Sequence, residues 1–358
     1  MREASLSKKR FFIKRVLIFY LLIFFLFPAP PLYSEKKEPL ITFIAVGDIM
    51  MGRHIGKMMK KKGDIYPYMN FIAPFRKADI IFANLESVLG DKSDKVFFTK
   101  KPYSFIAPLK AADMLKKIGF NVLSMANNHA MDYGAPPIMK TRKALLERGI
   151  HPFGAGKDID EAREAAIKTV KGVKFGFIGY SNGHSHLVYA APKKAGASPY
   201  NLKNIKEDIN ALKSEVDVVV VSLHWGVEYE KFPGKNQIKV AHELIDTGAD
   251  IILGHHPHVM QGVEFYKGRL IAYSLGNFLF DQKHKDTPRS FMLVMKFKGK
   301  KFHRAYVEPL DRFNAFYPKI ARGKSGENIL NELKSLSEPL NLNPLVLERL
   351  GFKIQKNN

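Results

Sequence analysis

The chain has 358 residues, enough to bury a large core and, on length alone, to form one to three domains. Apolar residues at 46% and charged residues at 25% are ordinary for a globular protein, but a formal net charge of +23 is not. Cysteine is absent, which excludes disulfides, thiolate nucleophiles and lipidated cysteine, and restricts any metal ligands to His, Asp, Glu and Asn. Lysine and arginine are spread along the chain without a nucleic-acid-binding motif. The expectation is a solvated basic face or an acidic partner, and no nucleic acid.

At the N-terminus, Arg2, Lys8, Lys9, Arg10, Lys14 and Arg15 precede the apolar run Val16 to Phe27, which Pro28-Ala29-Pro30-Pro31 follows. A basic region ahead of an apolar run of about 7–15 residues is the pattern of an export signal. Extended to Tyr33, the same stretch approaches the roughly 20 residues that span a bilayer. Residues 1–34 are therefore expected to act as a cleaved signal or as a membrane anchor, placing the rest outside the cytoplasm.

After a polar linker, Leu40 to Val46 reads as a buried strand ending in Gly47-Asp48, and Ala78 to Ala83 as a second, ending in Asn84-Leu85-Glu86. An acidic residue at a strand end is where α/β folds place ligands, so Asp48 and Glu86 are candidate metal ligands, with a helix N-cap as the lesser reading of Asp48. Residues 96–108 read as a loop and Leu109 to Ile118 as a helix. The strand Asn121 to Met125 ends in Asn127-Asn128-His129, where the Asn128 amide oxygen can ligate a metal and His129 can act as an acid or stabilise charge.

A helix is predicted from Pro137 to Arg148, a short strand at His151 to Phe153, a helix from Ile159 to Ala166 and a strand from Val173 to Tyr180. His184 and His186 follow in a long polar loop and read as surface residues. The helix Asn204 to Val216 leads into the strand Asp217 to Leu223, ending in His224-Trp225-Gly226. His224 thus repeats the strand-end position, and Trp225 either walls the site or packs. In the helix Lys235 to Asp246, His242 sits beside apolar neighbours and reads as structural or exposed rather than as a ligand. The apolar run Ala249 to Leu253 then ends in Gly254-His255-His256-Pro257-His258. Alternation along extended backbone lets His256 and His258 converge on a metal while His255 points elsewhere. A strand at Arg269 to Tyr273 precedes the Gly276-Asn277 turn, two antiparallel strands fill 290–310, and the tail from Gly323 is helical.

Five successive strand ends thus carry Asp48, Glu86, Asn128-His129, His224 and His256/His258. Helix-connected strands run mainly parallel, so these ends gather on one edge, where carboxylates and imidazoles could hold one or two divalent cations.

The series Gly47-Asp48-x-Met50-x-Gly52-Arg53, Asn84-Leu85-Glu86, Asn127-Asn128-His129-x-x-Asp132-x-Gly134, His224-Trp225-Gly226-x-Glu228-Tyr229, Gly254-His255-His256-Pro257-His258-Val259-x-Gln261 and Ser274-Leu275-Gly276-Asn277-Phe278-x-Phe280-Asp281 resembles the CapA-type poly-γ-glutamate capsule synthesis family, over roughly Thr42 to Asp281. The resemblance implies an α/β, four-layer α-β-β-α sandwich similar to metallophosphoesterases over 40–310, followed by a helical tail over 311–358. It implies Asp48, Glu86, Asn128, His224, His256 and His258 as ligands of one or two ions of Mn, Zn or Fe. His129 and Arg53 take catalytic roles, and Arg53, Trp225, Glu228 and Asn277 bind substrate. The implied partners are an anionic polymer such as poly-γ-glutamate and a membrane-embedded synthesis or export complex. Two functions follow: a metal-dependent hydrolase, or a non-catalytic polymer-binding or export component. The chain departs from the wider phosphoesterase pattern in three places. Met50 stands where a histidine usually follows Asp-x, Glu86 replaces an aspartate, and His255 replaces a glycine.

Overall fold

Ten residues, Leu40–Ile49, form strand β1, and all but Leu40 are buried. Its alternate side chains face two different cores: Phe43 and Ala45 point to one, Ile44 and Val46 to the other. A strand covered on both faces is apolar throughout, which is why this one is legible as a continuous run. The computed structural model describes residues 38–341, apart from 64, 92, 94–102, 184–185 and 313–316. The proposed signal or anchor over 1–34, His184 and most of the 96–108 loop therefore lie outside the described residues. Among the described residues no helix is long and apolar enough to cross a membrane.

The unit that begins at Pro39 contains two large sheets. Further strands, in chain order, are β2 (Ile80–Leu85), β3 (Val122–Ser124), β4 (His151–Phe153), β5 (Ala166–Val170), β6 (Val173–Ser181), β7 (Val218–His224), β8 (Ile251–His255), β9 (Val263–Tyr266), β10 (Arg269–Ala272), β11 (Asn277–Leu279), β12 (Arg289–Lys298), β13 (Lys301–Asp311) and β14 (Lys319–Ile320). The first sheet has the order β14-β13-β12-β1-β2-β3-β4, and β11 pairs with the far end of β1. The second has the order β9-β10-β8-β7-β6-β5. Within them β1, β2, β3 and β4 are mutually parallel, as are β6, β7, β8 and β10.

Helices α1 (Arg53–Lys62), α2 (Ala111–Ile118) and α3 (Ala135–Leu146) cover the outer face of the first sheet, sharing a core with Ile44, Ile81 and Leu123. Helices α4 (Leu202–Leu212) and α5 (Lys235–Thr247) cover the second, packing on Ile178, Val219 and Ile252. Between the sheets lie Phe43, Phe82, Phe175, Phe177, Val220 and Leu253. The layers are thus helix, sheet, sheet and helix, as expected. Each large apolar side chain buried between them contributes about 1.5–3 kcal/mol relative to exposure.

Several elements differ from expectation. The helix from Ile159 ends at Arg163, because Glu164 turns to extended backbone and Ala166–Val170 pairs antiparallel with β6 as an edge strand. The expected tail is built into the domain: β14 extends the first sheet, and helix α6 (Gly323–Ser337) adds Ile329, Leu333 and Leu336 to the inter-sheet core. Asn277 opens a strand rather than closing a turn, in register with Asp48. Gly47 makes this possible, since a Cβ there would lie 1.8 Å from the Gly276 carbonyl oxygen.

Candidate metal centre

The C-terminal ends of β1, β2, β3, β7 and β8 meet along one edge where the two sheets face each other. Asp48 lies one residue before the end of β1, held by its amide on the Gly276 carbonyl at 3.0 Å. Asn84 lies beside it on β2, and the Glu86 amide donates to the Ile49 carbonyl at 2.8 Å, carrying the Glu86 carboxylate to the same edge. His224 is the last residue of β7 and His255, its register partner, the last of β8. The chain then turns through His256 (φ +96°) and His258 (φ +60°), conformations that L side chains rarely adopt. Backbone strain of this kind costs about 1–3 kcal/mol per residue and concentrates at functional sites.

This turn corrects the alternation argument. The break in extended backbone brings all three histidines to the cluster, including His255, whose Nδ1 lies 3.1 Å from Asp48 Oδ1. His258 places Nδ1 at 3.3 Å from Asp48 Oδ2 and Nε2 at 3.6 Å from Glu86 Oε1. His224 Nε2 lies 3.0 Å from Asn128 Oδ1, and the His224 and His256 ring centroids are 4.7 Å apart. Asp48, Glu86, His224, His256 and His258 are all at most 2% exposed.

Burial alone raises the Asp48 carboxyl, but hydrogen bonds and charge from His255 and His258 outweigh it and hold the group well below its ordinary range. Burial, then the neighbouring His256, pushes His224 well below its ordinary range. A carboxylate that stays ionised beside an imidazole that stays neutral is the protonation state a divalent cation requires. Ligand atoms of Asp48, Glu86 and His224 lie within 4.8 Å of one another, as do those of Glu228, His256 and His258. Buried carboxylates, imidazoles and an amide oxygen suit Mn, Fe or Zn, so the residues present fit the expected ion.

Around this centre the structure distributes the other expected residues unevenly. His129 Nδ1 is 2.6 Å from Asp132, its ring stacks on Phe105, and its Nε2 faces Glu86 Oε1 at 3.8 Å. Arg53 is paired with Asp281 and lies over the Phe105 ring. Together with Tyr103, Glu228, Tyr229 and His284 they line a cavity of ≈ 330 Å³ leading to His258. Trp225 does not reach it. The indole is 2% exposed, lies parallel to Tyr273 and donates to the Tyr273 carbonyl at 3.1 Å, so Trp225 packs rather than binding substrate. Asn277 is fully buried behind His258 rather than in the cavity. His242 pairs with Glu264 at 2.7 Å and stacks on Tyr266, and His186 is exposed, both as expected.

Asn84, Asn127 and Asp132 stand in the sequence motifs without an assigned role, and His255 was expected to point away from the centre. Asn84 Nδ2 donates to Asp48 Oδ1 at 2.8 Å, and Asn127 Nδ2 donates to the Leu85 carbonyl at 2.9 Å while its Oδ1 accepts from the His129 amide at 3.1 Å. Strand alternation alone could have found Asn84, which shares a face with Glu86.

Residues 42–282 match the family model described as bacterial capsule synthesis protein PGA_cap. The chain is 35% identical over 259 residues to the capsule biosynthesis protein CapA of Bacillus anthracis, covering 71% of this chain but only 62% of that protein. It is 33% identical over 317 residues to the PGA biosynthesis protein CapA of Bacillus subtilis, covering 87% of this chain and 82% of that one. Among solved structures, a phosphatase from Mycoplasma pneumoniae superimposes with a TM-score of 0.49 at 14% identity, covering 76% of this chain and 94% of that one. With two thirds of its length matched and its strand-end histidines and carboxylates gathered at one edge, this chain belongs to the bacterial capsule synthesis protein family PGA_cap.

Proposed function

We propose that the protein acts in poly-γ-glutamate capsule synthesis as an exported envelope protein whose metal centre hydrolyses a bond in the polymer or in a related anionic substrate. Relatives named for capsule and PGA biosynthesis support the pathway. The observation that carries the hydrolytic reading is the buried set Asp48, Glu86 and His224 beside His256 and His258. These residues, with the Asn128 amide oxygen, would hold a divalent cation of the Mn, Fe or Zn type. When bound, such a cation polarises a substrate oxygen and lowers the pKa of a coordinated water toward neutrality.

The protein's own groups supply the rest. Arg53, fixed by Asp281 at the cavity wall, presents a guanidinium to an anionic substrate group. With His129 Nδ1 engaged by Asp132, a proton for a leaving group would come from Nε2, which faces Glu86 Oε1 at 3.8 Å. The basic composition suits a polyanion, and a membrane-embedded synthesis or export complex is the expected setting.

A second reading, a polymer-binding component without turnover, is favoured by Met50. Its sulfur accepts from the Gly52 amide at 3.1 Å and its side chain is buried in the outer core, so it offers no ligand. The deciding experiment measures metal per purified full-length chain together with hydrolysis of poly-γ-glutamate and of a generic phosphodiester under added Mn²⁺ or Zn²⁺. Bound metal with turnover that His129→Ala abolishes is the expected result. Metal without turnover moves the conclusion to the binding component, and absence of metal under all conditions overturns the hydrolase.

A further inference from the structure

We propose that Glu228 is the carboxylate ligand of a second, outer cation position formed with His256 and His258, next to the inner position of Asp48, Glu86 and His224. The assignment rests on the metal-centre reading above and adds to it the number of ions and a ligand previously assigned to substrate.

Three observations carry it. First, a carboxylate oxygen of Glu228 and one nitrogen each of His256 and His258 lie within 4.8 Å of one another. Two ligands at about 2.0–2.2 Å from one ion stand at most about 4.4 Å apart, so a few tenths of an ångström closes the set. Glu228 is exposed at the cavity wall and has the freedom to make that movement, whereas the two imidazoles are buried and fixed.

Second, the loop carrying Glu228 is built onto the histidine turn. The Trp225 amide donates to the His255 carbonyl at 3.0 Å and the Tyr229 amide to the Pro257 carbonyl at 2.8 Å. Gly226 (φ +89°) and Tyr229 (φ +68°) both adopt left-handed backbone to allow these bonds. The Tyr229 ring stacks on His284 at 4.3 Å, closing the other side of the loop. An exposed glutamate with only a solvation role would need none of this anchoring to the turn that holds His256 and His258.

Third, the outer set adjoins the inner one. His258 Nε2 is 3.6 Å from Glu86 Oε1, and the His256 ring lies 4.7 Å from that of His224. Position 50, on the strand of Asp48, provides no ligand, because the Met50 side chain is buried in the outer core. Glu228 supplies a donor from the opposite sheet instead. With three carboxylates facing two divalent cations, the centre would keep net positive charge, which suits an anionic substrate.

The test loads the full-length chain with Mn²⁺ and counts metal per chain by elemental analysis, with electron paramagnetic resonance reporting whether ions are adjacent and spin-coupled. The wild type should hold two ions with a coupled signal, and Glu228→Gln should hold one with the signal of isolated manganese. Thermal unfolding of the metal-free variant should match the wild type, since Glu228 is exposed. Two coupled ions in Glu228→Gln would overturn the assignment. So would a single ion in both proteins; if Asp48→Asn then lost that ion, the hydrolytic centre would stand as mononuclear. Two ions lost to one in Glu228→Gln, with no turnover of any substrate, would leave the assignment intact and remove the hydrolase reading instead.

Discussion

His258 Nδ1 and Asn277 Oδ1 are 3.0 Å apart, and Asn277 Nδ2 in turn donates to Gln282 Oε1 at 2.8 Å. The amide is thereby oriented with its oxygen toward the ring, Nδ1 carries the proton, and Nε2 is left with its lone pair directed at the metal-binding side near Glu86. Partners behind metal-ligating histidines typically contribute 10–100-fold in affinity. Asn277→Ala should therefore weaken Mn²⁺ or Zn²⁺ binding by about that factor, as measured by competition with a chelator of known affinity. An unchanged affinity would show that the ring is held by packing alone.

Gly47 and Gly276 form the closest backbone approach at the site. A methyl group at position 47 would meet the Gly276 carbonyl oxygen at 1.8 Å, and neither backbone can retreat without breaking the Asp48 amide bond to that same oxygen. Gly47→Ala should cost at least the about 1–3 kcal/mol typical of overpacking, seen as a lower midpoint in urea. Metal content should fall with it, because Asp48 is the next residue.

Trp225 separates packing from substrate contact. Trp225→Phe removes the donor to the Tyr273 carbonyl and leaves space in the outer core of the second sheet. A loss of about 1–3 kcal/mol in stability is expected, with KM for any substrate unchanged. A raised KM at unchanged stability would return the indole to the cavity.

Acid should destabilise the metal-free protein through groups kept neutral by the fold. Burial, then Lys168 and Lys116, lowers the affinity of His151 for a proton, and burial with His256 lowers that of His224 further. Both have folded values below the unfolded value of about 6.5, so the unfolded chain binds the extra protons and stability is lost as pH falls below about 6.5. His151→Gln, at the start of β4 and away from the centre, should flatten part of that slope without altering metal content. An unchanged slope in metal-free unfolding between pH 7 and 5 would remove His151 from the account.

Much of this was legible because buried parallel strands read as apolar runs, so β1, β2, β7 and β8 and the polar residues at their ends stand out. Asp48, Glu86, His224, His256 and His258 follow from position alone. The sequence was silent where tertiary contacts decide. Period-two reasoning placed His255 away from the cluster because it assumed extended backbone through a turn that has positive φ at His256 and His258. Asn277 read as a turn residue because its partner, Asp48, is 229 positions away and the parallel pairing leaves no local signal. The edge strand β5 went unread, with only its first residue Ala166 taken into a helix, because Ala-Ile-Lys-Thr-Val is too short to show its period against the preceding acidic turn.

The course of β1 sets a geometry of its own. The strand enters the first sheet at Leu40 and delivers Asp48 near its other end, about 26 Å away at 3.3 Å per residue. One buried strand, covered on both faces, therefore carries the chain from the start of the two-sheet unit to the candidate metal centre.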